Sequence, residues 1–518
     1  MRPAAEVPAA EAAGFVLGVD IGTYEAKGVL VSADGSVIAQ HRRPHSVLTP
    51  RPGFVEHDPE TVWWGGFVEI AREVLEASGV DADDIRAIAV SGIGPCVLPV
   101  DADGSPLRNA ILYAVDSRAQ TQIDQLNEAH GEAEIVRRSG TPLSSQSAGP
   151  KILWIEQHEP EIFARAERFV TCQTFLVGRL TDRWCMDHAT AAYFHPFYDR
   201  RTMDWNLDGA PSRLTRAQLP EPAWSSEIAG RIHADAAIST GLAVGTPVLT
   251  GAPDAVVEAL SAGVAEPGDM MIMYGSSHFI IEVLDQQHSS DTLWPAPFLF
   301  PDSHLAAASL PTAGSFTRWF ADLLDPAAGG TDSLYGALAE AAQSSPPGAN
   351  GLVALPYLSG DAGTRGGFVG LTMQHTRGDM ARAVAESIAH GVGRVLHRFD
   401  DDGLVPQRVR AVGGGTKNAA WLQAVSDVSG MTQEAVAGMG ASYGDAMLAA
   451  LAVGFIEDIA SWVSVREVVE PRAELADLYA RQGAAFAIFD GAAREIVALS
   501  AGDDRSAGDD FEEDTENG

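Results

Sequence analysis

Lysine is nearly absent from the sequence, since Lys27, Lys151 and Lys417 are the only lysines among 518 residues. Lysine and arginine together number 35, against 70 aspartates and glutamates, which gives a formal net charge of -35. A surface that binds nucleic acid or an anionic membrane needs a strong basic patch. The charge balance therefore predicts that the chain binds no nucleic acid and no membrane.

Two explanations fit the scarcity of lysine, and the sequence leaves both open. An acidic, lysine-poor surface suits a salt-rich cytoplasm, because salt screens the self-repulsion of the protein. A GC-rich genome also replaces lysine with arginine. Under either explanation, each remaining lysine is a candidate functional residue.

Cysteine and long apolar runs are scarce as well. Cys96, Cys172 and Cys185 are odd in number and widely spaced, which is typical of reduced thiols rather than of disulfides or a zinc site. No run approaches the roughly 18 apolar residues of a membrane span. Residues 1–13 lack the apolar stretch of a secretory signal. These absences predict a cytoplasmic protein.

The length and the apolar content predict two domains. A chain of 518 residues with 46% hydrophobic residues and 52 glycines can bury two cores and still supply glycine-rich loops. We expect an N-terminal domain over 14–264 and a C-terminal domain over 265–500. Residues 1–13 are expected to be flexible, and 501–518 to be a disordered acidic tail.

Strand and helix patterns alternate along the first domain. Residues 15–20, 27–31 and 37–41 are predicted to form a β-meander, because apolar runs are separated by tight polar turns. Residues 59–77 have helical spacing, and 85–90 return as a strand. This alternation is typical of a mixed α/β fold.

The second half repeats the opening pattern. Residues 270–274 and 279–284 are predicted strands around a small-residue turn, so we treat the two halves as a candidate duplication. Later, 408–412 form a predicted strand that precedes a glycine-rich turn and a helix over 419–429. A strand, such a turn and a helix N-terminus together favour an anion or nucleotide site.

Small-residue loops follow apolar strands at three places: Asp20-Ile21-Gly22-Thr23, Gly275-Ser276-Ser277 and Gly413-Gly414-Gly415. Each alone is explained equally well by an ordinary hairpin. Together they provide what phosphoryl transfer requires, namely backbone donors, a nearby cation and a carboxylate for Mg²⁺. Asp20 is the candidate metal ligand, and Lys27 on the following strand is the candidate phosphate-binding cation.

Asp254 is the candidate general base. It ends the apolar stretch 245–254 on Gly251-Ala252-Pro253, where a carboxylate has no packing role. The alternative is that Asp254 simply caps the helix predicted over 255–263. As a base it would accept the proton of the attacking substrate hydroxyl.

The sequence resembles the FGGY family of carbohydrate kinases from Gly14 to about Gly454. The motifs that carry this resemblance are Val19-Asp20-Ile21-Gly22-Thr23 with Lys27, Gly53-Phe54-Val55-Glu56-His57-Asp58-Pro59-Glu60 before Trp63-Trp64, Lys151-Ile152-Leu153-Trp154, Gly251 to Asp254, Pro356-Tyr357-Leu358-Ser359-Gly360, Gly370-Leu371-Thr372, and Gly413 to Trp421. The resemblance implies an α/β fold of two ribonuclease H-like domains, of the actin, Hsp70 and hexokinase type, with a nucleotide and sugar cleft between them.

The resemblance also implies a role for each matching residue. Asp254 matches the catalytic base, Asp20 with Gly22 and Thr23 the metal and γ-phosphate loop, and Lys27 the phosphate-binding cation. The second phosphate loop is matched by Gly275 and Ser276, and the α-phosphate and adenosine segment by Gly414, Gly415 and Asn418. Lys417 falls in the same segment. The implied cofactors are ATP and Mg²⁺.

The sugar side departs from the pattern of xylulokinases. Ser91-Gly92 is followed by Ile93-Gly94-Pro95-Cys96 instead of Gln-Met-His, and Tyr113 or Ala114 takes the place of a tryptophan ahead of Asp116-Ser117-Arg118. The residues expected to shape the substrate pocket are Ser91, Gly92, Cys96, Tyr113, Asp116 and Asp254. Because a site specifies hydroxyls by pairing them, these changes alter which sugar fits.

We therefore predict a carbohydrate kinase that acts on a small sugar or polyol, with a ketopentose such as xylulose as the leading substrate. Glycerol, erythritol and ribulose are alternatives, and a homodimer is a candidate assembly. An alternative from another class is a nucleotide-driven chaperone or filament protein of the actin or Hsp70 type. A regulator that has lost catalysis is disfavoured by the presence of Asp20, Lys27 and Asp254.

Overall fold

The structure is a computed structural model that describes residues 14–324, 331–358, 364–438 and 440–506. The predictions for residues 1–13, for Ser359-Gly360 and for 507–518 lie outside the described residues.

The elements before residue 270 alternate in type, as the sequence predicts. They are β1 (Phe15–Ile21), β2 (Glu25–Ser32), β3 (Val37–Pro44), β4 (Glu56–His57), α1 (Gly65–Ser78), β5 (Ile85–Gly92), β6 (Leu98–Val100), β7 (Ala110–Ile111), α2 (Gln120–His130), α3 (Glu132–Ser139), α4 (Ala148–His158), α5 (Pro160–Arg165), β8 (Arg168–Val170), α6 (Cys172–Thr181), β9 (Cys185–Asp187), α7 (His188–Ala192), β10 (Tyr198–Asp199), β11 (Asp204–Trp205), β12 (Glu221–Ala223), β13 (Ile228–Arg231), α8 (Ala234–Thr240), β14 (Pro247–Leu249), β15 (Ala252–Pro253) and α9 (Asp254–Ser261).

The later elements are again mixed. They are β16 (Asp269–Tyr274), β17 (His278–Leu284), β18 (Trp294–Pro297), β19 (His304–Leu310), α10 (Gly314–Leu324), α11 (Thr331–Gln343), β20 (Val353–Leu355), β21 (Gly367–Val369), α12 (Arg377–Asp401), β22 (Arg408–Val412), α13 (Ala419–Ser429), β23 (Gln433–Val436), α14 (Ala441–Ala452), β24 (Val465–Val469) and α15 (Ala476–Ser506). Helix α15 includes residues 501–506, which the sequence assigned to the acidic tail.

The chain forms two compact units, and it does not divide between them at a single point. Among the described residues, the first unit contains 14–269, 281–307 and 437–464, and the second contains the rest. The sequence predicted one boundary, between 264 and 265. The two divisions differ mainly because α14 packs on β1, β5 and α9 of the first unit. A linear reading of the chain does not show a packing contact of that kind.

The first unit is built on a mixed sheet with the strand order β13-β14-β5-β1-β2-β3. Strands β1 and β5 are parallel, whereas β1 with β2 and β2 with β3 are antiparallel. β1 is buried along almost its whole length, which is why it reads as a continuous apolar run. β3 lies at the edge, and two of its four exposed positions carry the polar side chains of Gln40 and Arg42.

Helix α14 lies directly against β1, and glycine makes this approach possible. A Cβ atom on Gly18 would stand 1.9 Å from the carbonyl oxygen of Ser442 and 2.6 Å from the backbone nitrogen of Ala446. On the other side of α14, a Cβ atom on Gly444 would stand 1.9 Å from the carbonyl oxygen of Val257 in α9. These contacts bring the buried end of α14 close to the carboxyl end of β1.

The second unit contains the neighbouring strands β16, β22, β23 and β24, in that order. β22 and β23 are parallel, and β23 and β24 are antiparallel. Helix α12 begins at a capping box in which the Thr376 hydroxyl and the Asp379 carboxylate pair with each other's backbone N–H groups. α13 begins after Asn418, whose side-chain oxygen accepts a hydrogen bond from the Trp421 N–H group.

Candidate active site

Asp20 lies at the end of β1, where the first phosphate loop was predicted. The N–H of Gly22 donates to the Glu25 carbonyl at 3.0 Å and closes the turn between β1 and β2. In the strand register Asp20 pairs with Lys27 on β2, and with Ser91 on β5. Directly opposed residues of antiparallel strands project to the same face. The sheet therefore brings the candidate metal ligand and the candidate cation together.

Asp254 reaches the same edge of the sheet through β15. Pro253, the residue before it, pairs with Gly92 in parallel register, just as Ile21 pairs with Gly92 from the other side. The carboxyl ends of β1, β5 and β15 therefore converge, which is where open α/β sheets bind ligands. The Asp254 carboxylate accepts a hydrogen bond at 2.7 Å from the next backbone N–H, that of Ala255. Asp254 is the first residue of α9, so the N–H that its carboxylate pairs with belongs to the second residue of that helix.

Electrostatics at this edge favour proton exchange near neutral pH. Burial, the charge of Asp20 and that of Glu258 raise the pKa of Asp254 from 3.8 to about 7, although the residue as a whole is only half-buried. Burial raises the pKa of Asp20 to about 6, against the opposing effect of Lys27. Burial and the Asp20 charge raise the pKa of Glu258 to about 7. A base with a pKa near 7 is well matched to accepting a hydroxyl proton at physiological pH.

Asp445 is a fourth carboxyl group at this edge, and the sequence did not predict it. The Ser91 hydroxyl donates to Asp445 at 2.6 Å and lies 3.3 Å from Asp20. Burial raises the pKa of Asp445 well above its usual range. In the sequence, 354 residues separate Asp445 from Ser91, so spacing does not indicate that they meet. The remaining signal was a charged residue in the largely apolar helix α14.

The donors at this edge fit Mg²⁺ in part. Among the described residues, no three His, Cys, Asp or Glu side chains form a group that could hold a metal ion by themselves. Mg²⁺ at phosphoryl-transfer sites usually takes one or two carboxylates and fills its other positions with water and substrate phosphates. Asp20 is buried at 4% exposure and lies among other carboxyl groups, with Lys27 as the nearby cation. A divalent cation with bound phosphate therefore fits the chemistry of this donor set.

Tyr113 contacts the predicted phosphate loop directly. Its hydroxyl lies 3.1 Å from the Thr23 hydroxyl. The ammonium group of Lys151 is fully buried and donates to the carbonyls of Tyr113 and Ser145, at 2.8 and 2.6 Å. Burial lowers the pKa of Lys151 to about 8. The lysine thus supports the segment that carries Tyr113.

Three of the predicted sugar-pocket side chains, those of Ser91, Cys96 and Asp116, are fully buried within the first unit. Both oxygens of Asp116 accept hydrogen bonds from Arg118, and one also accepts from the Val55 N–H at 2.7 Å. Asp116 is fully buried, so its carboxylate stabilises the loop after Tyr113. The Cys96 thiol is also fully buried and points to the Ile93 carbonyl.

The predicted nucleotide residues line one cavity of about 430 Å³ in the second unit. Its walls include Gly275, Ser276, Gly414, Gly415, Lys417, Asn418 and Trp421. A Cβ atom on Gly415 would stand 2.7 Å from the Trp421 ring, so a larger residue would push into the indole. The indole N–H of Trp421 is buried and has no hydrogen-bond partner. Asn418, which precedes α13, lines this cavity, and a helix N-terminus suits a nucleotide phosphate.

Family comparison agrees with this geometry. The model of the FGGY family of carbohydrate kinases, N-terminal domain, matches residues 15–261, and the model of the C-terminal domain matches 270–453. The chain belongs to the FGGY family of carbohydrate kinases. It is a sugar phosphotransferase, and kinases of this family use ATP as the phosphate donor.

Within that family the chain is xylulokinase-like. It is 29% identical over 480 residues to a xylulose kinase of Staphylococcus epidermidis, and the alignment covers 90% of this chain and 94% of that protein. It is also 29% identical over 482 residues to a glycerol kinase of Nocardia farcinica, and that alignment covers 87% of this chain and 93% of that protein. The crystal structure of xylulose kinase from Rhodospirillum rubrum matches 93% of this chain and 100% of its own, with a TM-score of 0.87 and 29% identity.

These findings confirm the predicted family, the two-domain α/β fold and the enzyme class. The two matched family models leave the segment 262–269 between them. In the described part of the chain, no helix is both long enough and apolar enough to cross a membrane.

Proposed function

We propose that this kinase transfers the γ-phosphoryl group of MgATP to a hydroxyl of a ketopentose, with xylulose as the leading substrate. The observation that carries the proposal is the position of Asp254 beside Asp20, at the converging ends of three strands. The xylulose kinases among the relatives supply the substrate class.

Asp254 is the general base in this proposal. Its ionised carboxylate takes the proton of the substrate hydroxyl while the hydroxyl oxygen forms a bond to the γ-phosphorus atom. The bond from that phosphorus to the β–γ bridging oxygen breaks, and ADP leaves with the electron pair. A pKa of about 7 leaves much of Asp254 ionised at physiological pH while keeping its affinity for the proton high.

Charge on the phosphoryl group is neutralised by residues of the loop after β1. Lys27 supplies a positive charge, and the hydroxyl of Thr23 and the N–H groups of the loop supply hydrogen bonds. Mg²⁺, held through Asp20, supplies the charge neutralisation of the phosphate oxygens when it is bound. Gly414, Gly415 and Asn418 would bind the α-phosphate and adenosine, and Gly275 and Ser276 would form the second phosphate loop.

The sugar pocket in this proposal is lined by Tyr113 and Asp254, which are partly exposed. Because Ser91, Gly92, Cys96 and Asp116 are buried, we propose that they shape the pocket through packing and not by direct hydrogen bonds to the sugar. A glycerol-type polyol is the second candidate substrate, because a glycerol kinase has the same identity to this chain as the xylulose kinase.

The test is an ADP-release screen over pentuloses, hexuloses, tetritols and glycerol at low and high salt. We expect the largest kcat/KM for a ketopentose, and loss of at least about a hundredfold in kcat for Asp254→Asn, since a general base contributes at least that much. Asp124→Asn on an exposed face of α2 is the matched control and should keep full activity.

Near-normal turnover by Asp254→Asn would contradict the assignment of the base. ATP hydrolysis that no sugar or polyol stimulates would instead favour the chaperone or filament alternative. The salt arm shows whether the acidic surface is an adaptation to a salt-rich cytoplasm. A cytoplasmic location is the proposed setting under either outcome. Size-exclusion chromatography of the same samples tests the proposed homodimer.

A further inference from the structure

The motif Gly53-Phe54-Val55-Glu56-His57-Asp58-Pro59-Glu60 has no role in the chemistry proposed above. Within it, His57 is fully buried at the end of the short strand β4. One of its ring nitrogens, Nε2, lies 3.0 Å from the carbonyl oxygen of Thr23. His57 therefore contacts the backbone of the phosphate loop from the interior of the first unit.

The hydrogen-bond partners of His57 define which ring nitrogen carries the proton. The indole N–H of Trp63 donates to Nδ1 of His57 at 3.1 Å, and an indole nitrogen can only donate. Nδ1 is therefore the acceptor, and Nε2 must carry the hydrogen of the neutral ring. Burial supports the neutral ring, because it lowers the pKa of His57 to about 4. Nε2–H consequently donates to the Thr23 carbonyl.

The loop is thus held at several points. The Thr23 carbonyl accepts from His57, the Thr23 hydroxyl lies within hydrogen-bond distance of Tyr113, and the Gly22 N–H donates to Glu25. Trp63 is itself fully buried and packs edge-on against Phe175, so the donor that sets the tautomer is fixed in place. The peptide group that contains the Thr23 carbonyl also contains the N–H of the following residue. Fixing the carbonyl therefore also fixes the direction of that N–H.

We propose that His57 is a positioning residue for phosphoryl transfer: with its tautomer set by Trp63, it orients the Thr23 peptide of the phosphate loop. This inference rests on the proposed function, because the loop matters for rate only if it grips the transferred phosphate. A histidine that merely fills the core would do so in either tautomer and with any side chain of similar size.

Two substitutions separate these roles. His57→Gln places an amide N–H near the position of Nε2, so it can still donate to Thr23. His57→Asn places its amide near Nδ1, so it can still pair with Trp63 but does not reach Thr23. Both variants remove the ring from the core. The pair therefore separates the two hydrogen bonds of His57: His57→Gln keeps the bond to Thr23, on which the proposal depends, whereas His57→Asn keeps only the bond with Trp63.

The first measurement is hydrogen exchange by mass spectrometry over the segment 21–27. We expect exchange about tenfold faster in His57→Asn than in the wild type, in line with the loss of one hydrogen bond, and near-wild-type exchange in His57→Gln. Equal exchange in the two variants would overturn the proposal.

The second measurement is kinetic. We expect kcat to fall by about ten- to a hundredfold in His57→Asn, with the sugar KM unchanged, because a small displacement of a positioning group costs rate. His57→Gln should recover most of that loss. A purely structural role would lower the activity of both variants together, through the amount of folded enzyme.

The third measurement is nitrogen NMR of histidine-labelled protein, with the His57 signals identified by their loss in His57→Gln. The Nε2–H tautomer is expected in the wild type, with loss of that preference in Trp63→Phe. An Nδ1–H tautomer in the wild type would overturn the proposal. If the wild type phosphorylates no sugar, the proposed function fails, while hydrogen exchange and NMR still decide whether His57 positions the loop.

Discussion

The pH dependence of the reaction follows from the surroundings of Asp254. Its pKa is raised from 3.8 to about 7, first by burial and next by the negative charge of Asp20. A general base works only when it is deprotonated, so lowering the pH through 7 should remove the active form. The perturbation is therefore a change of pH from 8 to 5.

The size of the effect can be worked out from this pKa. An acid with a pKa of about 7 is about half deprotonated at pH 7 and about one-tenth deprotonated at pH 6. kcat/KM should therefore fall about tenfold for each pH unit below 7. An aspartate with the ordinary pKa of 3.8 would leave the rate almost constant over the same range.

The assay is ADP release with both substrates well below their KM values, because kcat/KM then reports groups of the free enzyme. Glu258→Gln is the diagnostic variant. Glu258 lies one turn along α9 from Asp254, and its charge raises the pKa of Asp254. Removing that charge should shift the acid limb to lower pH and leave the plateau unchanged. Glu76→Gln, on an exposed face of α1, should not shift it.

A profile that stays flat between pH 5 and 8 would refute the reasoning. So would an acid limb that moves to higher pH in Glu258→Gln, since the loss of a neighbouring negative charge can only favour the ionised form of Asp254.

Three further outcomes concern stability. Glu258→Gln should stabilise the protein at pH 8 by on the order of 1 kcal/mol but not at pH 4. The folded-state pKa of Glu258 is raised from 4.5 to about 7, so the stability that the protonated Glu258 contributes is lost as the pH rises through that value. Urea unfolding at the two pH values checks this, and equal effects would contradict it. Gly18→Ala should destabilise the protein by about 3 kcal/mol or more, because the new Cβ would meet the Ser442 carbonyl at 1.9 Å. The control Gly491→Ala on α15 places its Cβ in open space, so it should be neutral or slightly stabilising in the same unfolding assay. Lys151→Met should cost about 2 kcal/mol by removing the donor from two partly buried carbonyls, and it should raise the sugar KM by loosening Tyr113. An unchanged denaturation midpoint would argue against this support role.

Much of the fold could be predicted because its signals are local. β22 and α13 begin and end where the sequence predicted, and β1 extends one residue beyond its predicted end. The stretch 245–254 was predicted as one strand and is divided into β14 and β15. The break lies at Gly251, which has a φ of +85° and whose Cβ would stand 2.3 Å from the Val90 carbonyl. Close approach to β5 is a tertiary constraint, so spacing alone did not reveal it.

The sequence by itself determined the family, the enzyme class and the candidate loops around Asp20, Asp254 and Gly414, because short motifs with fixed spacing encode them. Only the tertiary structure decided that Asp445 joins the carboxyl groups beside Asp20, that Asp116 accepts from the Val55 N–H, and that His57 donates to Thr23. The reason is physical: a motif specifies local backbone, whereas the partners and the pKa values of buried polar groups depend on which distant segments pack around them.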